Sequence, residues 1–307
     1  MAHSHSDVVT GAFSYTGTYI TARLLQSGRA VRTLTSRPDS DNPFDAPVPT
    51  LPYCFDDPDR LAESLSGTDT LYNTYWVRFS HGQRTFVSAV ENTKILFRAA
   101  VAAGVRRIVH VSISNPSAES PFPYFSGKAH LENDLQSLDV SHAIIRPTVV
   151  FGDEDILINN IAWLVRRLPI FLVPGDGQYQ MQPVHADDLA RVAVEAGTSD
   201  ENKIVNAVGP ETYPFIELVR LIAKATDSTC LVGTAPAGLS LFISKLVGLL
   251  MRDVVLTRDE LGSLMANLLI VPESPITGDI KLSEWLAQNK ETVGSEYSSE
   301  LGRHYRR

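Results

Sequence analysis

The sequence predicts an α/β fold: a doubly wound parallel sheet with a smaller, mostly helical C-terminal lobe. Three observations predict it. Short apolar, β-rich runs alternate with helical patterns through the first half of the 307 residues. A glycine-rich turn, Thr10-Gly-Ala-Phe-Ser-Tyr-Thr-Gly17, joins the first such run to the first helix. Beyond Gly209-Pro210 the pattern becomes almost wholly helical. Strand–helix alternation of this kind implies parallel strands with right-handed crossovers. A chain of this length buries roughly three quarters of its unfolded surface. We expect one body over 1–150 and a lobe over 151–307, with one strand and one helix of the second segment returning to the first body.

Val8–Thr10 is the first strand, and Thr18–Gln26 the first helix, with Ile20 and Leu24 on one face and Ser27-Gly28 as its stop. Ala30–Thr35 is the second strand. Asp57-Pro-Asp-Arg-Leu61 opens the next helix with carboxylates at its positive end. Thr70–Thr74 is a strand and Phe86–Ala103 a long helix, with Phe86, Val90, Phe97 and Val101 spaced for burial. Arg107–Ser112 and Ala143–Thr148 are apolar, β-rich runs, as strands buried on both faces should be. Further on, helices are predicted at Ile156–Leu168 and Asp187–Ala196, a loop at Pro174–Gly177, and a strand at Ile204–Val208. The lobe then reads as helices at Tyr213–Thr226, Ala237–Met251 and Thr257–Leu269, the last opened by a capping box of Thr257 and Glu260.

Composition excludes several classes. A net charge of −8 and a pI near 5.5 argue against a nucleic-acid or anionic-membrane surface, where a basic face is expected. Two cysteines, Cys54 and Cys230, build no disulfide framework and stand in no metal-ligand spacing. His3 and His5 read as a polar terminus, and no metal site is expected. The first residues show no basic segment followed by an apolar run, so a cytoplasmic protein is expected. Ala237–Met251 is strongly apolar but short for a membrane span, and Lys245 interrupts it. Packing on the lobe is the first reading, and a peripheral membrane contact or partner surface the second.

Two motifs carry chemistry. The Gly11–Gly17 turn follows a strand and opens a helix, the context of a Rossmann-type dinucleotide site. Gly11 allows the tight turn, and Gly17 lets the helix pack close, its amides facing a pyrophosphate. Ser14 replaces the middle glycine of the usual spacing. Far downstream, Tyr124-Phe-Ser-Gly-Lys128 puts a phenol and an amine one helical turn apart. A phenol titrates near ~10, and a cation within ~4–6 Å lowers that by roughly 1–3 units. Alone, Tyr-x-x-x-Lys is a common accident. With the glycine turn it indicates hydride and proton chemistry. At the end of the second strand, Thr35-Ser-Arg37 replaces the acidic residue that binds the ribose of NAD, so NADP is favoured, with NAD the alternative. Ser36 and Arg37 are the candidate 2′-phosphate ligands, and Phe55 is placed to cover the adenine.

Thr-Gly-x-x-x-x-x-Gly, Tyr-x-x-x-Lys and Arg146-Pro-Thr-Val-Val-Phe-Gly152 resemble the short-chain dehydrogenase/reductase superfamily, in its extended or atypical branch. Gln182-Pro-Val-His-Ala-Asp-Asp188, Gly209-Pro-Glu211 and Glu284-Trp-Leu286 look most like the group of the complex I nucleotide-binding accessory subunit and NmrA-like proteins. The resemblance implies Tyr124 as general acid/base, Lys128 as holder of the nicotinamide ribose, and a serine after the fifth strand that orients a substrate carbonyl. That serine does not match cleanly: the position falls on Ile113, flanked by Ser112 and Ser114, and Ser114 is assigned. The resemblance also implies cofactor contacts from Tyr15, Thr16, Thr74, Tyr75, Ser112 and Pro147. Relatives acting on nucleotide sugars carry an arginine where Met181 or Gln182 stands here, which implies a smaller or more lipophilic carbonyl or quinone-like substrate. His185, Asp187 and Asp188 read as capping and lobe contacts. An NAD(P)-dependent oxidoreductase is the leading expectation. An epimerase or dehydratase, and a non-catalytic NADP(H)-binding sensor or assembly subunit, are the alternatives.

Overall fold

The computed structural model describes residues 6–299 and 301–302, so His3 and His5 lie outside the described residues. The chain runs β1 (Ser6–Thr10), α1 (Tyr15–Gln26), β2 (Ala30–Thr35), β3 (Thr50–Pro52), α2 (Pro58–Leu65) and β4 (Thr68–Asn73). It continues through α3 (Phe86–Ala102), β5 (Arg107–Val111), α4 (Pro123–Gln136) and β6 (Ser141–Pro147). It then enters a second unit with β7 (Val149–Phe151), α5 (Leu157–Arg167), β8 (Ile170–Pro174), β9 (Gln180–Met181) and β10 (Pro183–His185). It returns to the first for α6 (Ala186–Thr198) and β11 (Lys203–Ala207). The remainder is β12 (Tyr213–Pro214), α7 (Phe215–Ala225), β13 (Leu231–Ala235), α8 (Ala237–Met251), α9 (Arg258–Met265) and α10 (Leu282–Gln288), all in the second unit.

The first unit, 1–147 with 186–207, is built on a seven-stranded sheet in the order β11-β6-β5-β4-β1-β2-β3, every neighbouring pair parallel. Strand order reverses between β1 and β4. In open α/β sheets, ligands bind outside the carboxyl ends of the strands at such a switch. Val8, Leu34, Leu71, Ile108 and Ile144 from five strands meet Leu61, Leu96, Phe97 and Leu131 from the helices in one core. On α3 the deepest stripe is Ala89, Thr93, Leu96, Phe97 and Ala100, whereas Phe86, Val90 and Val101 are half-buried. Near the opposite, amino-terminal ends of the strands, Arg29 bridges the buried Asp7 and Asp69, and Arg106 joins Asp69 to Asp200.

The second unit, 148–185 with 208–307, is helical as expected but also holds three two-stranded sheets, β10-β7, β12-β9 and β13-β8. Its core gathers Phe151, Ile158, Met181, Leu218, Ile222 and Leu286. The helix expected over Tyr213–Thr226 begins as a two-residue strand, because Pro214 caps rather than enters α7. Thr257 and Glu260 form the expected capping box on α9.

Candidate active site in the first unit

Thr10, at the carboxyl end of β1, is completely buried and ties the switch point together. Its hydroxyl accepts from the amides of Thr74 (2.7 Å) and Tyr75 (3.0 Å) and donates to Asn73 Oδ1 (3.2 Å). The Thr74 hydroxyl donates back to the Thr10 carbonyl. The loops after β1 and β4 are therefore one stitched structure. Gly11 follows with φ +65°, a conformation that side chains resist, and its amide donates to Leu34 O (2.8 Å). A Cβ on Gly17 would lie 2.0 Å from the Gly11 carbonyl oxygen, so only glycine lets α1 approach this closely.

Ser14 is the N-cap of α1, but its hydroxyl donates to Gly11 O (2.6 Å) instead of capping the helix. No side chain caps that end and its first turn holds no acidic residue. An uncapped amide end without a carboxylate suits an anion. Tyr15 and Thr16, in this first turn, are half-buried. At the end of β2, Ser36 and Arg37 are exposed, and the Arg37 amide donates to Thr35 Oγ1 (3.0 Å). Phe55 stacks on Tyr53 (4.9 Å between centroids) and leans on Tyr75 (5.3 Å), whose hydroxyl accepts from Asn92 Nδ2 (2.9 Å). Phe55 is thus one wall of a three-ring cluster at the edge of the core.

Along α4, Tyr124, Lys128 and Glu132 stand four residues apart on one face. Lys128 is 2% exposed. Its amine donates to the Val111 carbonyl (2.7 Å) and lies 4.5 Å from the centroid of Trp76. Burial pushes its pKa down to about 7, opposed by the Glu132 carboxylate. The Tyr124 ring packs edge-on against Trp76 (5.5 Å) and Phe86 (6.0 Å). A Cβ on Gly127 would meet the tip of that indole at 3.0 Å. Trp76 therefore lies on the α4 surface beside both members of the tyrosine–lysine pair.

The two candidate serines have separate partners. Ser112 donates its hydroxyl to Glu132 Oε1 (2.5 Å), so this group anchors α4 to β5. Ser114 is completely buried, and its amide donates to the carbonyl of Pro147, extending the β5–β6 pairing (2.8 Å). Glu132 also accepts from Arg146 Nε (3.0 Å) and Nη2. Beneath them His110 is kept neutral by burial and by the nearby Lys128 charge. Its Nδ1 lies 2.9 Å from Asn73 Nδ2. As Asn73 Oδ1 accepts from Thr10 and from the Tyr75 amide (3.1 Å), the asparagine presents its amino group to the imidazole. A chain of buried polar groups thus links the switch point to the strand beneath the Lys128 site. Asp187 makes a fork with Arg23 of α1 (2.7 Å for each bond), and Asp188 lies 3.5 Å from Arg191. Both are structural.

The model of the NAD dependent epimerase/dehydratase family matches residues 8–208, about two thirds of the chain. The chain belongs to this family. Its cofactor is accordingly a nicotinamide adenine dinucleotide, and the uncapped amide end of α1 beside Gly11 suits that anionic group. Among curated relatives, the chain is similar to NADH dehydrogenase [ubiquinone] 1 alpha subcomplex subunit 9 of Mus musculus. The identity is 31% over 170 residues, 54% of this chain and 45% of the relative. The subunit of that name in Dictyostelium discoideum is 26% identical over 71% of this chain and 63% of its own length. The chain thus spans about half to two thirds of these relatives. Among solved structures it resembles the Citrobacter sp. triphenylmethane reductase complexed with NADP(H). The TM-score is 0.69 at 16% identity, over 92% of this chain and 99% of that one.

Within the family's motifs, sequence reasoning did not find Glu132, His110, Asn73 or the placement of Trp76. One signal was present: Glu132 stands four residues beyond Lys128, on the same helical face.

Proposed function

We propose that this chain is an NAD(P)-dependent oxidoreductase of the atypical short-chain type, acting on the carbonyl or alcohol carbon of a small lipophilic substrate. One observation carries the reading. A buried amine able to change protonation near neutrality sits one helical turn from Tyr124, in the unit whose glycine turn suits a dinucleotide. The bound nicotinamide supplies or accepts the hydride. The amide end of α1 holds the pyrophosphate, Ser36 and Arg37 hold a 2′-phosphate, and Lys128 holds ribose hydroxyls. Tyr124 gives or takes the proton at the substrate oxygen, and Ser114 orients that oxygen. Met181 is completely buried, and the Gln182 side chain donates to Gly209 O (3.1 Å) and accepts from the Val271 amide (3.3 Å). Neither supplies a cation for a sugar diphosphate, which favours a carbonyl or quinone-like substrate over a nucleotide sugar.

A second reading has its own support. Trp76 packs on Gly127 against both Tyr124 and Lys128, so the pair has packing contacts of its own that a purely binding protein would also keep. The likeness to a respiratory-complex subunit favours the same reading, a nucleotide-binding sensor or assembly subunit. Titration of NADPH and NADH, followed by tryptophan fluorescence, tests the cofactor. NADPH is expected to bind more tightly, and Arg37→Glu to reverse the order. NADH preferred by the wild type contradicts this. A thermal-shift panel with cofactor present tests the substrate: hydrophobic ketones and quinones should stabilise the protein. Stabilisation by UDP-sugars alone would instead establish the epimerase alternative.

A further inference from the structure

Leu239, Phe242, Leu246 and Leu249 of α8 are 47, 58, 53 and 78% exposed. Their spacing of three, four and three residues sets them in one stripe along the helix. The helix contains no acidic residue, in a chain whose net charge is −8. It ends at Arg252, whose φ of 52° turns the chain, and the Asp253 amide donates to Gly248 O (2.9 Å). A Cβ at Gly248 would come 2.6 Å from the Asp253 carbonyl oxygen, so glycine is what lets the chain approach the helix here. Residues 252–258 and α8 together wall a groove of about 690 Å³. Leu241, Phe242, Val255 and Leu256 give it an apolar lining, and Phe242 and Leu249 belong to both groove and stripe. Lys245, Arg252 and Arg258 also line it, all exposed. Among the described residues its one acid, Asp253, is buried and accepts from the Tyr297 hydroxyl and the Leu301 amide, both at 2.9 Å.

We propose that α8 docks on an anionic lipid surface, with the stripe among the acyl chains and Lys245 and Arg258 on the lipid phosphates. A 15-residue helix is about 22 Å long, short of the roughly 30 Å hydrocarbon core, so it lies in the membrane plane and does not span it. An apolar face edged with lysine and arginine is the pattern of interfacial helices. A second copy of this chain fits less well. A two-fold contact sets a patch against itself, and would bring these cations against the same cations.

Co-sedimentation of the full chain with vesicles tests the proposal. Partition into phosphatidylcholine vesicles doped with phosphatidylglycerol should exceed partition into phosphatidylcholine alone by about tenfold or more, and should weaken with salt. Leu246→Asp/Leu249→Asp should lose most of that binding. Lys245→Glu/Arg258→Glu should lose the preference for the anionic lipid. These side chains are exposed, so both variants should keep the wild-type melting temperature, which separates lost docking from lost folding. Absence of binding to the doped vesicles overturns the proposal, as does equal binding to both kinds. So does a wild-type dimer that Leu246→Asp/Leu249→Asp dissociates in the ultracentrifuge.

Discussion

Lys128 holds its proton up to a pKa of 10.5 in an unfolded chain but only to about 7 in the fold, because burial disfavours the ammonium. Between those values the unfolded state binds more protons, so this group makes stability rise as pH rises from about 7 towards 10.5. Below 7 both states are protonated and the penalty is fully present. Asp155 has the opposite sign: burial raises its carboxyl from 3.8 to about 7, so its contribution falls as pH rises through that window. Lys128→Met should therefore raise the melting temperature at pH 7 and flatten the rise towards alkaline pH, read by thermal unfolding across pH. An unchanged slope would show that the amine titrates normally. Lysine 13Cε chemical shifts should place one titration near 7 in the wild type and none there in Lys128→Met. At the turn, Gly17→Ala forces a methyl group into the Gly11 carbonyl and should cost several kcal/mol, since the obstacle is backbone and cannot rotate away. A denaturant midpoint equal to wild type would contradict the close approach.

At the scale of elements, α4 is fixed to β5 and β6 through one carboxylate. Glu132 is 3% exposed in its side chain, accepts from Ser112, and pairs with Arg146, which is 27% exposed. Glu132→Gln leaves the guanidinium without its counter-charge, and breaking such a pair costs about 3 kcal/mol. The variant should unfold at lower denaturant with an unchanged m-value, and replacing Arg146 as well should recover part of the loss. Most elements of the first unit were legible in the sequence. Strands such as Ile108–Val111 and Ala143–Pro147, largely buried, read as β-rich runs dominated by apolar residues, with His110 and Arg146 as their polar members. β3 and the strands of the second unit were not, because two to five residues carry no period and their pairing is set by distant partners. The burial stripe of α3 was misread because large residues were counted, whereas Ala89, Thr93 and Ala100 are completely buried and Phe86, Val90 and Val101 only half-buried.

At the scale of the molecule, the glycine turn and the Tyr124/Lys128 pair were legible because each is a local spacing with a chemical reason. The groups that surround them were not. Ser112 holds Glu132, 20 residues away, and His110 meets Asn73 across 37 residues of sequence. Such pairings exist only once the sheet is assembled. The proposed chemistry rests on the Tyr124 hydroxyl, and one substitution removes it while keeping the ring packed against Trp76 and Phe86. Oxidation of NADPH by hydrophobic carbonyl compounds should be followed in the wild type and in Tyr124→Phe. We expect turnover to fall by about 10²–10⁴ in the variant while the affinity for NADPH stays within a few-fold. Full activity in Tyr124→Phe, or NADPH binding with no turnover by the wild type, would contradict the oxidoreductase assignment and leave a nucleotide-binding protein.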